Sequence, residues 1–434
     1  MIKNRIAGIA IRRAGIEALG EALAASRRNT LAAFESFERN LESLDVPRWV
    51  ELNPPLWELG HIGWFQEWWI ARNPQRAFGV QADPDAPRIA GIRRDADRLY
   101  DSAKVAHETR WNLPLPGADE TRNDLGAQLE RTLALLQLAD ESDAGLYFFR
   151  LALFHEDMHH EAASYMAHAL GFAIDEAPGP AALADECRTI DFDAGQWRLG
   201  LDGPGFAFDN ECRPHEVQLS DYRIDDRVVR WAEYLPFVED GGYEDDNWWS
   251  EPGRAWLRAK GRRAPRYLEH TSRGWRRWSN GRWVELDPAL PACHLTLHEA
   301  LAWCNWVGRR LPTEAEWERA AIEAGDAFRW GDVWEWTSSA FAPYPGFTAH
   351  PYRAYSSPWF DGRPVLRGAS FATASRMRNP RYRNFFGAER DDIYAGFRSC
   401  ASERAPLRHV EDRRHSWTDS RSAITSAGIP KPAG

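Results

Sequence analysis

Phe154-His155-Glu156-Asp157-Met158-His159-His160-Glu161 sits inside a stretch, from about Ala144 to Leu170 and ended by Gly171, whose length and apolar spacing predict one long helix. On a helix His155 and His159 stand one turn apart on the same face, the geometry that two ligands of one metal require. His160 is turned about 100° away, and Glu161, two residues beyond His159, also points elsewhere. Surface histidine pairs at this spacing are common, so a metal reading needs a third ligand. The stretch also matches HExxH, the zinc-peptidase helix, but the extended form needs Gly at position 162 and His at 165, where this chain has Ala162 and Tyr165.

Working upstream, Asn53 precedes Pro54-Pro55, a good start for a helix carrying Leu56, Trp57, Leu59, His61, Trp64 and Phe65. In such surroundings His61 either bonds a backbone carbonyl as a core histidine or joins His155 and His159 as a third ligand. Neutral imidazoles suit iron, zinc, copper or nickel, so the ligand set alone does not name the metal. Further helices are expected where Leu31, Phe34, Phe37, Leu41 and Leu44 follow Asn29-Thr30, read as a cap, within Arg93–Arg110, and where Leu125, Leu129, Leu133 and Leu136 recur. Together they predict a helical bundle over residues 1–175.

Downstream, Glu176-Ala177-Pro178-Gly179-Pro180 opens a linker, 176–189, after which Gly, Pro, Trp and Arg become frequent. An irregular α+β domain is expected over 190–403. Within it only Leu295–Gly308 and Thr313–Ala324 look helical, the second opening with Thr313 and Glu316 as a capping box. Glu216–Ser220 alternates as a strand does. The run Arg254, Arg258, Lys260, Arg262, Arg263, Arg266 reads as a solvated, charged loop rather than an anion site. Residues 404–434 are polar and lack apolar periodicity, as a loosely ordered tail would be.

Composition bounds the function classes. The chain has 434 residues, 54 Lys+Arg against 64 Asp+Glu, and a net charge of −10, enough length for two or three domains and no basic face for general nucleic-acid binding. No apolar run approaches the roughly 18 residues of a membrane span, and no signal peptide is visible, so a cytoplasmic protein is expected. The five cysteines are scattered without a CxxC pair, which suggests free thiols rather than a disulfide framework or zinc cage. The 22 tryptophans suit core packing first, and pockets for cationic or ring-shaped ligands second.

Leu311-Pro312-Thr313-Glu314-Ala315-Glu316-Trp317-Glu318, Gly331-Asp332-Val333-Trp334-Glu335-Trp336-Thr337, Val365-Leu366-Arg367-Gly368-Ala369-Ser370-Phe371 and Gly396-Phe397-Arg398 resemble the domain of formylglycine-generating enzymes, an irregular C-type-lectin-like fold. Behind a DinB-like helical bundle, that domain is similar to the group formed by ergothioneine-biosynthesis sulfoxide synthases (EgtB) and selenoneine synthases (SenA). Trp57-x-x-Gly60-His61-x-x-Trp64-Phe65 and the HxxxHxE element at His155–Glu161 resemble that group's iron ligands, His61, His155 and His159 here. The formylglycine enzymes' own chemistry is not implied, because 376–383, before the final Gly-Phe-Arg, lacks their cysteines.

The resemblance implies an Fe(II), O2-dependent enzyme that joins sulfur or selenium to the imidazole carbon of hercynine, the trimethylammonium betaine of histidine. It implies Tyr352, in Tyr352-Arg353-Ala354-Tyr355, as the catalytic tyrosine and Tyr355 as a pocket residue, although residues alone would read both as packing. It places Asn384 and Phe385 in the hercynine pocket, with Arg390 near the donor. Two departures bear on that donor. Phe386 stands where γ-glutamylcysteine enzymes carry Asp, and Asp157-Met158 replaces a Gln-Gln pair whose second amide reaches hercynine; Met158 cannot make that bond. His-Glu-Asp-Met-His looks more like selenoneine synthases, whose donor is a selenosugar. Cysteine or γ-glutamylcysteine as donor, a DinB-type zinc transferase and a metal-free binding module are the competing readings.

Overall fold

The computed structural model describes residues 8–175 and 178–401. The first half is built from α1 (Ile16–Asn40), α2 (Pro55–Gln66), the short α3 (Ala96–Tyr100), α4 (Ala118–Leu136) and α5 (Asp143–Leu170). α5 starts on Ser142, whose hydroxyl accepts from the amide of Gly145, and stops at Gly171, which takes the left-handed conformation at φ 92. α2 begins at Pro55, as the sequence predicts, and runs on into a π-helical turn, Glu67–Ala71.

Two expectations in this half change. Asn29-Thr30 is mid-helix, not a cap, because Leu19 and Leu23 extend the buried stripe backwards and the polar residues between face inwards with partners. Ser26 donates to Asp157 (2.7 Å) and Arg27 to Glu156 (2.8 Å). At the other end the helix stops before Leu41, which is extended, and Leu44 sits at φ 57. The helix expected within Arg93–Arg110 is only α3; Asp101 there accepts from the amide of Ala103 (3.1 Å), a local turn that competes with helix.

From Thr189 the chain is strands and short helices: β1 (Thr189–Phe192), β2 (Gly195–Leu199), β3 (His215–Leu219), β4 (Tyr222–Asp225), α6 (Trp231–Glu239), α7 (Glu251–Lys260), β5 (Leu268–Thr271), β6 (Gly274–Ser279), β7 (Arg282–Glu285), α8 (Leu297–Val307), β8 (Arg309–Arg310), α9 (Glu314–Glu323), β9 (Trp334–Ala340), β10 (Pro364–Gly368), β11 (Asn384–Phe385), β12 (Ala395–Gly396) and β13 (Cys400–Ala401). They pair as β1-β4-β13-β8, β11-β10-β9-β12, β2-β3 and β5-β6-β7. Sequence reading missed α6, which carries Pro236 internally, and α7, which is capped by Ser250 and ended by Gly261 at φ 62. The basic run is therefore not a solvated loop: Arg254, Arg258 and Lys260 lie on α7, while Arg262 and Arg266 pair with Asp391 (3.0 and 2.8 Å) and Arg266 also with Glu51 (3.0 Å). The segment between Leu170 and Thr189 is not wholly free either, since Leu183 is buried against Val228, Cys293, Val333 and Tyr394.

Buried ion pairs brace the second half. Glu335 on β9 is fully buried, accepting from Trp317 (2.7 Å) and from Nε and Nη2 of Arg398. Arg383 pairs bidentately with Glu314 (2.9 and 3.0 Å), and Arg367 with Glu318. Trp57, Trp317 and Trp336 are among the largest fully buried side chains, so core packing accounts for them. Charges out of water are tolerated only when paired in this way. Replacing Glu335 by Ala leaves Arg398 unpaired in the core and should cost about 3–5 kcal/mol; chemical denaturation measures this, and a loss below about 1 kcal/mol would mean the pair contributes little.

Candidate metal centre

His61 from α2 meets His155 and His159 from α5, with one ligand nitrogen of each within 4.8 Å of the others. Gly60 makes the approach possible: a Cβ there would lie 2.3 Å from the ring of Tyr100. With no side chain in the way, the carbonyl of Tyr100 reaches His61 Nδ1 at 2.8 Å. A carbonyl only accepts, so Nδ1 carries the proton and Nε2 keeps its lone pair. Glu58, three residues earlier on α2, does the same for His159, accepting from its Nδ1. The Nε2 atoms of His155 and His159 are then 3.2 Å apart, within the roughly 3.0–3.4 Å expected of two nitrogens each about 2.1 Å from one ion. His61 thus fills both roles that sequence left open, carbonyl-bonded core histidine and member of a convergent triad.

Burial keeps His61 and His155 neutral. It lowers His61 to about 3, helped by His159, and holds His155 well below the usual imidazole range, again by burial first and its neighbouring histidines second. Burial alone would raise the Glu58 carboxyl, but His159 outweighs it and holds the group at about 2. Aromatic rings fix the imidazoles: Trp57 stacks on His61 (4.8 Å, 9°) and Phe65 on His155 (3.5 Å, 3°). Three convergent imidazoles, two of them with Nδ1 held by a carbonyl or a carboxylate, are a fitting donor set for a first-row divalent metal.

Tyr352 lies against this centre, its ring 4.9 Å from Phe65 and 6.3 Å from His155. Burial pushes its hydroxyl up to about 12, so it keeps its proton at neutral pH. Tyr355 stacks on Phe208 (4.4 Å), and its hydroxyl meets that of Tyr382 at 2.9 Å. Both hydroxyls turn to the thioether of Met158, Tyr382 at 3.4 Å and Tyr355 at 3.8 Å. Phe385 packs on Phe341 (4.1 Å) and edge-on to Tyr355 (5.9 Å); Asn384 beside it is paired with Leu366 through β10 and β11. Arg390 is already neutralised by a bidentate pair with Asp392, both bonds 2.6 Å, and lies over the ring of Phe386 at 5.0 Å.

Sequence reading missed several residues of this site. Glu58 had one available signal, its helical spacing from His61. Tyr382 had none, because a long excursion after β10 brings it back. Arg88 also escaped notice: it lies over Trp68 and Trp69 (5.0 and 5.3 Å), and Trp69 is 5.9 Å from Tyr352. Arg88 forms no ion pair with a carboxylate among the described residues. Neither His160 nor Glu161 belongs to the triad. Glu161 instead accepts from Trp334, Ser370 and Thr373 of the second half.

Comparison with known proteins now decides the family. The Sulfatase-modifying factor enzyme 1-like domain matches residues 176–332 and 328–403. A hercynine oxygenase of Mycolicibacterium smegmatis is 31% identical over 439 residues, covering 88% of this chain and 98% of its own. The chain belongs to the hercynine oxygenase family, a helical bundle fused to a sulfatase-modifying-factor domain. A second hercynine oxygenase, from Mycolicibacterium thermoresistibile, is 31% identical over 406 residues, 80% of this chain and 87% of its own. The formylglycine-generating enzyme of Streptomyces coelicolor is 31% identical over only 170 residues, 36% of this chain and 54% of its own. Family membership makes this an oxidative, metal-dependent enzyme, and among the described residues no helix is long and apolar enough to cross a membrane.

His155→Ala or His159→Ala should abolish stoichiometric metal binding, measured by elemental analysis of purified protein; a variant that retains a full equivalent would discard the triad as the site. Glu58→Gln should lower metal affinity about 10–100-fold, the usual effect of removing a carboxylate that orients a histidine ligand, as read by competition with a chelator.

Proposed function

We propose that this chain uses Fe(II) at His61, His155 and His159, with O2 as oxidant, to couple a selenosugar to the imidazole carbon of hercynine: the ring C–H and the donor's Se–H give way to a C–Se bond, one oxygen atom of O2 leaving as water and the other staying on selenium. The observation that carries the reading is the convergence of a histidine triad with a protonated, buried tyrosine, Tyr352, at the seam between bundle and second domain. When bound there, iron would supply redox chemistry and open positions for oxygen and the chalcogen donor. Tyr352 holds a proton, or a hydrogen atom, for transfer beside the reacting centre. The faces of Tyr355 and Phe385 offer negative π-density to a trimethylammonium group, while the amide of Asn384 serves the carboxylate.

Support for a neutral donor comes from charge. Phe386 brings no acid for a donor's amino group, and Asp392 occupies the guanidinium of Arg390. Met158 offers a soft thioether beside two tyrosine hydroxyls instead of an amide. A second reading, ergothioneine-type coupling of cysteine or γ-glutamylcysteine, is favoured by Arg88, which forms no ion pair with a carboxylate among the described residues and would hold a donor's carboxylate. It is also the reading to which the relatives' name lends support.

With protein loaded anaerobically with Fe(II), then given hercynine and O2, product masses from separate donor tubes decide. A selenium adduct from the selenosugar alone is expected; a sulfoxide from either thiol moves the chain to the second reading, and silence with iron bound removes both. Tyr352→Phe should slow coupling at least tenfold while hercynine affinity stays within about twofold; unaltered turnover would strip Tyr352 of its role.

A further inference from the structure

Behind the histidine triad two chains of contacts end on one cation, Arg110. It lies in the short turn His107–Asn112, docked on the segment before α2 by two bonds: His107 donates from Nε2 to the carbonyl of Leu52 (2.8 Å), and the Trp111 indole donates to that of Val46 (2.9 Å). From this turn the Arg110 guanidinium lies over the indole of Trp57, 3.8 Å from the ring centre. Trp57 is buried, its Nε1 donates to the carbonyl of Leu99 (2.8 Å), and its ring is the one stacked on His61.

The second chain runs through hydrogen bonds. Arg110 donates from Nη1 to Asn53 Oδ1 (2.8 Å), and Asn53 Nδ2 donates to Glu58 Oε1 (2.5 Å), whose other oxygen accepts from His159. A guanidinium only donates and a carboxylate only accepts, so this amide has one orientation, its dipole aligned between cation and anion. One side chain, Trp57, separates Arg110 from His61; two, Asn53 and Glu58, separate it from His159.

The charge gives these contacts a consequence that packing alone would not. Among the described residues Arg110 has no carboxylate at ion-pair distance, and a guanidinium keeps its proton at neutral pH. By accepting from His159, Glu58 makes that imidazole a stronger donor, which tightens the hold on a cation and favours its higher oxidation state. A cation coupled to the same carboxylate through an aligned amide, and resting on the ring that stacks on His61, works against both effects.

We propose that Arg110 is a positioning residue of the metal centre: acting through Trp57 and Asn53, its charge offsets that of Glu58 and holds a bound first-row metal in its divalent state, ferrous in the case of iron. The inference rests on the metal reading given above, and cobalt separates the two. The full chain at low ionic strength, where charges are screened least, is compared with Arg110→Met, which removes the charge and keeps an unbranched stem, and with Arg110→Lys, which keeps the charge. Chelator competition reads Co(II) affinity, and redox titration of iron-loaded protein reads the Fe(III)/Fe(II) midpoint. Arg110→Met should bind Co(II) about threefold more tightly or better, and its midpoint should fall by about 28 mV or more, a threefold shift at about 59 mV per tenfold for one electron. Arg110→Lys should stay within about twofold of the parent in both. A purely structural Arg110 predicts the opposite sign, since loosening Trp57 and Asn53 would weaken Co(II) binding in both variants. That result overturns the proposal, as does Arg110→Met matching the parent in both readings or Arg110→Lys shifting as far as Arg110→Met. A parent that binds Co(II) but not iron removes the iron reading and leaves the cobalt affinities to decide; a parent that binds neither overturns both.

Discussion

Among the described residues Glu161 has no cation as hydrogen-bond partner, and it is buried where helix α5 meets the second half of the chain. It is held by the indole of Trp334 (2.7 Å) and the hydroxyls of Ser370 (2.5 Å) and Thr373 (2.7 Å). Burial raises its pKa and the three donors work against that. Burying such a group is costly unless every lone pair is met, so its three donors fix how α5 sits against β9 and the loop after β10. One turn earlier Asp157 binds Arg376 (2.6 Å) and Ser26, and Glu156 binds Arg27. Three acids on one helix thus tie α1, α5 and the second half together.

The metal centre inherits its geometry from that clamp. His155 and His159 lie on the same helix as the three acids, so they cannot move without breaking buried ion pairs. The opposite wall, bearing Tyr352, Tyr355 and Tyr382, belongs to the second half, and Arg12 reaches across from the N-terminal segment to a buried pair with Glu211 (2.9 Å) beneath Phe208. Neither half alone encloses the space beside the triad. A fused bundle and domain is what such an arrangement requires: the bundle contributes the histidine triad, the domain contributes tyrosines and aromatic side chains.

Much of this was legible in the chain. The spacing of His155 and His159, the Pro54-Pro55 start and the Gly171 stop are local signals, and local physics preserves them in the fold. The Thr313/Glu316 capping box is another. What escaped was decided by distant partners. Thr30 looks like a cap until Leu19 and Leu23 are seen to continue its stripe. Pro236 argues against a helix that nonetheless forms around it. Arg262 and Arg266 read as solvated charges because Asp391 and Glu51 are far away in sequence. Tyr382 reaches Met158 across an even greater separation. Charge pairing over such intervals leaves no periodic trace.

Charge also frames specificity. A site for a zwitterionic thiol needs a free cation for the carboxylate and an anion for the ammonium, because each desolvated charge must find its opposite. Around this centre Arg390 is spent on Asp392, and Phe386, under its guanidinium, supplies no acid. Two guanidiniums stacked on tryptophan form no ion pair among the described residues: Arg88, over Trp68 and Trp69 and bonded to the carbonyl of Ala86, and Arg110, over Trp57. A donor with hydroxyls and no formal charge would find tyrosine hydroxyls and a thioether; one with a carboxylate would have to find one of these two. The two readings of the donor therefore turn on whether a guanidinium stacked on tryptophan, Arg88 or Arg110, is packing or recognition.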